Sequence, residues 1–273
     1  MDPRWLYLGC LIPDVPWIVR RAVVGLGLPV DRLDLQLYST AQASLAGALL
    51  LCAACALLAR ETRPVFATLG ANAVLHLLLD ACEVKWGNGV HLLAPLSWEM
   101  TRFDLVADES LTNVGLTLGG LGLVVWELRR PPRPTPLVWL EPRRLAAASL
   151  LVLVYLTAPL AALDAVEANA GGPVATLRAA DRTGRTLELD RAHYLDAPGP
   201  GGRVRLWTGE HLATTGLDLE HDARVSLRGV FLGSGKLRID ALAEHRLNRD
   251  WPSYLGLALL AALWMRRRGH ADQ

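Results

Sequence analysis

Five long apolar runs constrain the fold of this chain more than any other feature of its sequence. They cover residues 40–59, 64–81, 111–128, 145–166 and 254–265. A helix crosses the hydrocarbon of a bilayer with about 20 apolar residues, and it pairs its own backbone groups while doing so. The runs therefore predict five membrane spans, the last of them short. Residues 5–19 are also apolar, but Pro13, Asp14 and Pro16 interrupt them and predict a broken or re-entrant helix.

The composition indicates a membrane part joined to a soluble part. The chain is 52% hydrophobic, which is high for a soluble domain, and 20% charged, which is high for a purely embedded one. Between residues 165 and 252 apolar and polar residues alternate, which predicts strands at 174–179, 186–190, 203–207, 223–230 and 236–242. Five strands are typical of a small OB-like β-barrel. We therefore expect a helical membrane domain over 1–164, a β-rich domain over 165–252, and a membrane helix with a basic tail over 253–273.

The distribution of arginine predicts the orientation of the spans. Arginines cluster at 60–63, 129–144 and 266–268, and these segments share one side if five spans alternate. Basic loops stay in the cytoplasm, so the β-domain is expected outside it, in an inner-membrane protein. Arg20, Arg21 and Arg32 weigh against this orientation, because it places them outside.

The charge balance argues against nucleic acid as a partner. Residues 173–245 contain ten basic and ten acidic residues and only three aromatic ones, Tyr194, Trp207 and Phe231. Phosphate binding needs an excess of positive charge, and single strands need stacking platforms. The expected partners are membrane lipid and an envelope protein that the β-domain contacts.

Titratable side chains close the second apolar run and form the candidate site. His76 and Asp80 are four residues apart, so a helix projects both from one face. A charge at mid-membrane costs roughly 2.5–3.5 kcal/mol, which favours a functional role. Asp14 can join them from the broken helix, and His91 from the following loop. Three alternatives stay open: a structural His76–Asp80 pair, a capping role for Asp14, and an interfacial role for His91.

Three segments carry a resemblance to a known family. Residues 8–17 read Leu-Gly-Cys-Leu-Ile-Pro-Asp-Val-Pro-Trp, residues 76–80 read His-Leu-Leu-Leu-Asp, and residues 89–98 read Gly-Val-His-Leu-Leu-Ala-Pro-Leu-Ser-Trp. Over roughly residues 8–128 the chain resembles the bacterial membrane-bound metal-dependent hydrolases, also described as LexA-binding inner-membrane hydrolases. The resemblance puts Asp14, His76 and Asp80 on presumed metal-ligand positions. The second aspartate of the family's Pro-Asp-x-Asp element is Pro16 here, and its Thr-His-Ser histidine is replaced by Gln42, which we expect to hydrogen-bond across helices.

Two functions of different class follow. The first is a metal-dependent hydrolase in which Asp14, His76, Asp80 and His91 hold a divalent metal such as zinc, with His76 and Asp80 also as catalytic residues. Three protein ligands and an open position suit hydrolysis, and a site at the outer membrane boundary suits a lipid-linked phosphoester. The second is a non-catalytic membrane protein with a degenerate site, whose β-domain binds an envelope partner. The retained Pro-Asp and His-x-x-x-Asp elements favour the first function, and the absent histidine favours the second.

Overall fold

The computed structural model describes residues 2–107, 110–130, 141–169, 172–197, 201–217, 219–245 and 250–265. Helices in these ranges are α1 (Pro3–Leu11), α2 (Val15–Gly25), α3 (Arg32–Gln42), α4 (Leu45–Leu57), α5 (Thr62–Cys82), α6 (Leu111–Arg129), α7 (Pro142–Thr157), α8 (Leu163–Asn169), α9 (Pro173–Arg178) and α10 (Asp250–Met265). The strands are β1 (Thr186–Leu195), β2 (Arg203–Arg205), β3 (His211–Gly216), β4 (Ala223–Gly233) and β5 (Lys236–His245).

Three helical segments in the described ranges are long and apolar enough to cross a membrane. They are α5, α6 and the continuous stretch Pro142–Asn169 that contains α7 and α8. A fourth span is present only if α3 and α4, which meet at a bend of 65°, count as one broken span. The expectation of five spans is therefore wrong in number.

Local structure explains why two of the five predicted runs do not form a single full-length span. The run 40–59 is divided because Ser44 caps α4, its Oγ accepting a hydrogen bond from the Gly47 N–H at 3.2 Å. The last run gives the apolar helix Tyr254–Met265. At 1.5 Å per residue it measures about 18 Å, against a hydrocarbon thickness of about 30 Å.

The N-terminal segment is broken as its prolines predict. A 3₁₀ turn, Ile12–Asp14, separates α1 from α2. Pro13 and Pro16 each lie in the first turn of the element that contains them, where the missing N–H leaves no helical hydrogen bond unmade. This break turns the chain at Asp14.

Small residues let α1 lie directly against α5. A Cβ atom built on Gly9 would be 2.9 Å from the Asn72 Cβ, so the two backbones approach as only glycine permits. The buried Ala48, Cys52 and Ala56 of α4 belong to the same core. This packing carries the end of α1 to the face of α5 that holds His76.

The strands form a closed barrel in the order β1-β2-β3-β5-β4, with β3 parallel to β5 and the other pairs antiparallel. Alternate residues point inward around a core that includes the fully buried Tyr194 and Phe231.

Four of the predicted strands lie on β1, β2, β4 and β5. The predicted strand at 174–179 is wrong, because these residues belong mainly to α9, which Pro173 opens after Gly172. The strand β3 was not predicted, because Leu212 is its only large apolar residue.

Candidate functional site

His76 is the centre of the polar cluster. Its Nε2 atom lies 3.7 Å from Asp14 Oδ1 and 3.7 Å from Asp80 Oδ2. Asp80 is one helical turn further along α5, and Asp14 arrives from the break between α1 and α2. The three side chains that the sequence singled out therefore converge, with His76 the most shielded of them at 19% side-chain exposure and Asp14 the most open at 48%.

A backbone carbonyl fixes the orientation of the imidazole. His76 Nδ1 is 2.6 Å from the carbonyl oxygen of Cys10, and only a protonated nitrogen can donate to that oxygen. In the neutral ring, Nε2 then carries a lone pair that faces two carboxylates. Such an arrangement is repulsive unless a cation lies among the three groups or Nε2 also binds a proton. Metal-binding histidines are commonly held in this way by a carbonyl on the second ring nitrogen.

Lys85 belongs to the same cluster and was missed by the sequence reasoning. Its Nζ atom is 2.9 Å from Asp80 Oδ1 and 3.2 Å from Glu83 Oε2, and its side chain is only 10% exposed. The available signal was its rarity, since Lys85 and Lys236 are the only lysines in the chain. Lys85 thus places one ammonium between two carboxylates at the edge of the cluster.

His91 lies in a different cluster. Its Nδ1 is 3.0 Å from the Trp98 carbonyl oxygen, and the two rings are 6.3 Å apart. The residue is 4% exposed and lines a small cavity with Val166 and Pro173. Burial lowers the pKa of His91 more than its hydrogen bonds raise it. The described contacts of His91 thus favour the structural alternative over the ligand role.

Gln42 bonds across helices as expected. Its Nε2 donates to the Tyr38 hydroxyl at 3.1 Å and to the Tyr155 carbonyl oxygen at 3.4 Å, which joins α3 to α7. The side chain is buried, and these contacts use both of its donor hydrogens. Gln42 therefore links helices α3 and α7.

The donor set suits a divalent metal, although the side chains are slightly too far apart for a closed site. Among the residues that the structure describes, no group of three or more His, Cys, Asp or Glu side chains has metal-site geometry. Ligands of a tetrahedral zinc ion at 2.0–2.2 Å are separated by about 3.3–3.6 Å, against the 3.7 Å measured from His76 Nε2 to each carboxylate. A shift of a few tenths of an ångström would bring His76 Nε2 to that spacing from each of the two carboxylates.

Comparison of the chain with models of protein families, with curated proteins and with solved structures found no match.

Proposed function

We propose that this chain is a membrane-embedded, metal-dependent hydrolase with its centre at Asp14, His76 and Asp80. One observation carries the proposal. The carboxylates of Asp14 and Asp80 come from two distant segments and meet at Nε2 of His76. The carbonyl of Cys10, 66 residues away from His76, holds the other ring nitrogen. A purely structural ion pair would need one carboxylate. A second carboxylate, half exposed, adds negative charge that a cation can balance.

The protein residues have separable tasks in this mechanism. A bound zinc ion would supply an activated water and would stabilise charge that develops on a phosphoryl oxygen. Cys10 fixes the tautomer that leaves Nε2 free to bind the ion. Lys85 neutralises one oxygen of Asp80 and holds the other toward His76. Asp14, as the most exposed ligand, borders the medium from which a substrate would approach.

The location of the site favours a lipid-linked phosphoester as substrate. His76 and Asp80 lie near the end of α5, a membrane-length helix, so a soluble head group and an apolar tail can both reach the region. We propose that the protein lies in the bacterial inner membrane and that its barrel, whose strand order suits an OB-like module, covers this end outside the cytoplasm. Nucleic acid is not an expected partner, because the barrel region has no excess of positive charge.

Metal analysis of the purified protein tests the proposal. We expect about one equivalent of zinc or manganese per chain when either metal is supplied during expression, since three ligands suffice for a catalytic site. His76→Ala combined with Asp14→Ala should abolish it. His221→Ala is the matched control, because His221 Nε2 forms a comparable contact with Glu244 at 3.2 Å on the barrel. Wild-type protein without metal would contradict the proposal.

The non-catalytic alternative has its own supporting observation. Lys85 already places a positive charge on Asp80, and Gln42 is engaged between helices, so no fourth ligand is supplied from that position. In that case the cluster would be a structural ion network, and the barrel would bind an envelope partner. His76→Asn would then lower the thermal stability of metal-free protein, whereas adding zinc to the wild type would leave its stability unchanged.

A further inference from the structure

An apolar groove of about 430 Å³ lies between α1, α4 and α10. Its walls contain no charged, hydroxyl or amide side chain. The lining residues are Trp5, Leu8, Leu11, Cys55, Leu58, Leu257, Leu260, Ala261 and Trp264. A groove of this size falls in the range of small-molecule sites, but one without polar anchors selects only for apolar surface.

The size of the groove decides which apolar occupant fits. A helix with its side chains is about 10 Å wide, so three turns of one occupy about 1,200 Å³, far more than the groove offers. The body of a helix therefore cannot lie inside the groove, and a partner helix or a second copy of the chain could only rest on its open side with side chains inserted. A single flexible hydrocarbon chain is thin enough to enter, and it needs no hydrogen-bond partner.

Helix α1 connects the groove to the polar cluster. Leu8 and Leu11 face the groove, whereas the carbonyl of Cys10, between them, accepts the hydrogen bond from His76. Asp14 follows Leu11 by three residues in the adjoining 3₁₀ turn. One end of the groove thus lies beside the charged site, and the face of α1 leads away from it toward Trp5.

An aromatic pair marks the far end of the groove. The rings of Trp5 and Trp264 meet edge to face with centroids 5.2 Å apart, joining α1 to α10. The Arg4 guanidinium lies 5.6 Å from the centre of the Trp264 ring and pairs with Asp2. The walls of the groove are therefore apolar. The charged site borders one end of the groove, and this aromatic pair borders the other.

We propose that the groove binds one acyl chain of the lipid substrate, with the methyl end toward Trp5 and Trp264 and the head group at Asp14, His76 and Asp80. This inference rests on the proposed function and deepens it, because it names the substrate as a lipid that is recognised through its hydrocarbon. It also explains why α1 lines both the groove and the charged site, because α1 sets the distance between the acyl chain and the phosphoester.

Photo-crosslinking of the full chain in detergent tests the inference. The probe is phosphatidic acid that carries a diazirine near the methyl end of one acyl chain, and the labelled positions are mapped by mass spectrometry. We expect saturable labelling near Trp5 and Trp264. Leu8→Trp fills the groove and should lower this labelling about tenfold, the loss expected when roughly two methylene groups are displaced. Leu118→Trp, at a position on α6 that is 64% exposed, is the matched control and should leave the labelling unchanged.

A second variant guards against misfolding of the first. Ala261 lines the groove but is exposed, so Ala261→Trp narrows the groove from its open side without disturbing the core. Labelling that is equal in α6 and in the groove, or that persists in both filled variants, would overturn the inference. Metal content separates the two proposals. Normal labelling of the groove in a protein that holds no metal would remove the hydrolase and keep the lipid site. A protein that holds metal but whose groove is not labelled would remove the groove proposal alone.

Discussion

Ser226 shows how a triad-like set of residues can be purely structural. Its hydroxyl is fully buried, lies 2.7 Å from Asp190 Oδ1 and 2.8 Å from His245 Nε2, and accepts the Arg191 N–H at 3.1 Å. The single hydroxyl hydrogen goes to Asp190, so His245 donates. Arg191 has a φ of +51° where the pairing of β1 with β4 shifts register. The serine therefore stabilises an irregular strand and is not placed to attack a substrate.

Ser226→Ala should lower the free energy of unfolding of the barrel by about 1–3 kcal/mol, because buried polar groups would lose a hydrogen-bond partner. Chemical denaturation followed by circular dichroism measures the change. Ser234→Ala, at an exposed position in the β4–β5 turn, should change the stability by no more than about 0.5 kcal/mol. Equal effects of the two substitutions would contradict the structural role.

Burial of His91 predicts a stability that declines in mild acid. The pKa of His91 is lowered from its usual 6.5, mainly by burial. Below that value the unfolded chain binds a proton that the folded chain resists, so stability is lost as the pH falls. We expect the melting temperature to drop between about pH 7.5 and pH 5.5, on either side of the usual histidine pKa, and His91→Phe to flatten this dependence. The exposed His221→Gln should leave the slope unchanged, and the same slope in all three proteins would refute the assignment.

Local spacing predicted one part of the site and not the rest. Asp14, His76 and Asp80 could be found because prolines reveal a break and a four-residue interval reveals a helix face. Lys85 was not predicted because its loop conformation depends on contacts with the barrel. The Asp190–Ser226 bond was not predicted either, since it joins positions 36 residues apart whose register is set only by closure of the barrel.

At the level of elements, Glu188 fastens the barrel to the loop that holds Lys85. Its carboxylate accepts the Gly87 N–H at 2.9 Å and pairs with Arg102 at 3.1 Å and with Arg228. Arg102 also donates to the Lys85 carbonyl oxygen at 3.0 Å. Gly87 has a φ of +62°, and a Cβ there would lie 2.5 Å from the Glu188 carbonyl oxygen, so glycine is required. Strand β1 thereby sets the position of the loop over Asp80.

The charge state of this contact follows from its surroundings. Burial raises the pKa of Glu188, but the hydrogen bond from Gly87 and the two arginines outweigh it and lower the pKa overall. A lowered carboxyl pKa contributes stability above the unfolded value, and this contribution is lost as the pH falls through the folded value. This contact should therefore contribute its stability at neutral pH and lose it only in acid.

Glu188→Gln should weaken zinc binding at the proposed centre several-fold, below the roughly tenfold loss typical of direct partners of metal ligands, because Glu188 supports Lys85 and Asp80 only through the loop. Competition with a fluorescent chelator measures the affinity. Glu210→Gln is the matched control, since Glu210 pairs with Arg182 without contacting the loop. If both variants bind zinc like the wild type, the barrel does not position the site.

The errors in predicting elements also have physical causes. A proline followed by Val-Ala-Thr-Leu reads as alternating, yet Pro173 begins a helix there whose Val174 and Leu177 are buried on one side. An apolar run of 20 residues reads as one span, yet a single serine cap bends it. In both cases one residue at the start of a helix determines the structure of the residues that follow. A composition averaged over a window of residues does not detect that single residue.

At the scale of the whole molecule, α6 is the least buried of the three helical segments that are long and apolar enough to cross a membrane. Only 11% of its apolar window is buried, and within the described residues no atom beyond the local helix backbone lies within 4 Å of a Cβ built on Gly115 or Gly119. Exposed leucines such as Leu116 and Leu118 surround these glycines. Within the described part of the chain these glycines therefore make no close helix contact, and the surface suits hydrocarbon.

The sidedness of the barrel can be argued without counting spans. The contact between Glu188 and Gly87 ties the barrel to the loop just after α5, and Arg60 lies just before the start of α5. If α5 crosses the membrane, the barrel and Arg60 are on opposite sides, whatever the other helices do. The basic 60–63 segment then predicts that Arg60 is cytoplasmic and the barrel is outside.

Cysteine labelling of intact cells tests this topology. In a variant with Cys10, Cys52, Cys55 and Cys82 replaced by alanine, Leu232→Cys gives a thiol on β4, at a position that is 49% exposed. An impermeant maleimide should label it from outside, whereas Arg60→Cys in the same background should be labelled only after lysis. The opposite pattern would invert the orientation, place the proposed site on the cytoplasmic face, and require a substrate from that leaflet. Labelling of both positions in intact cells would mean that α5 does not cross the membrane.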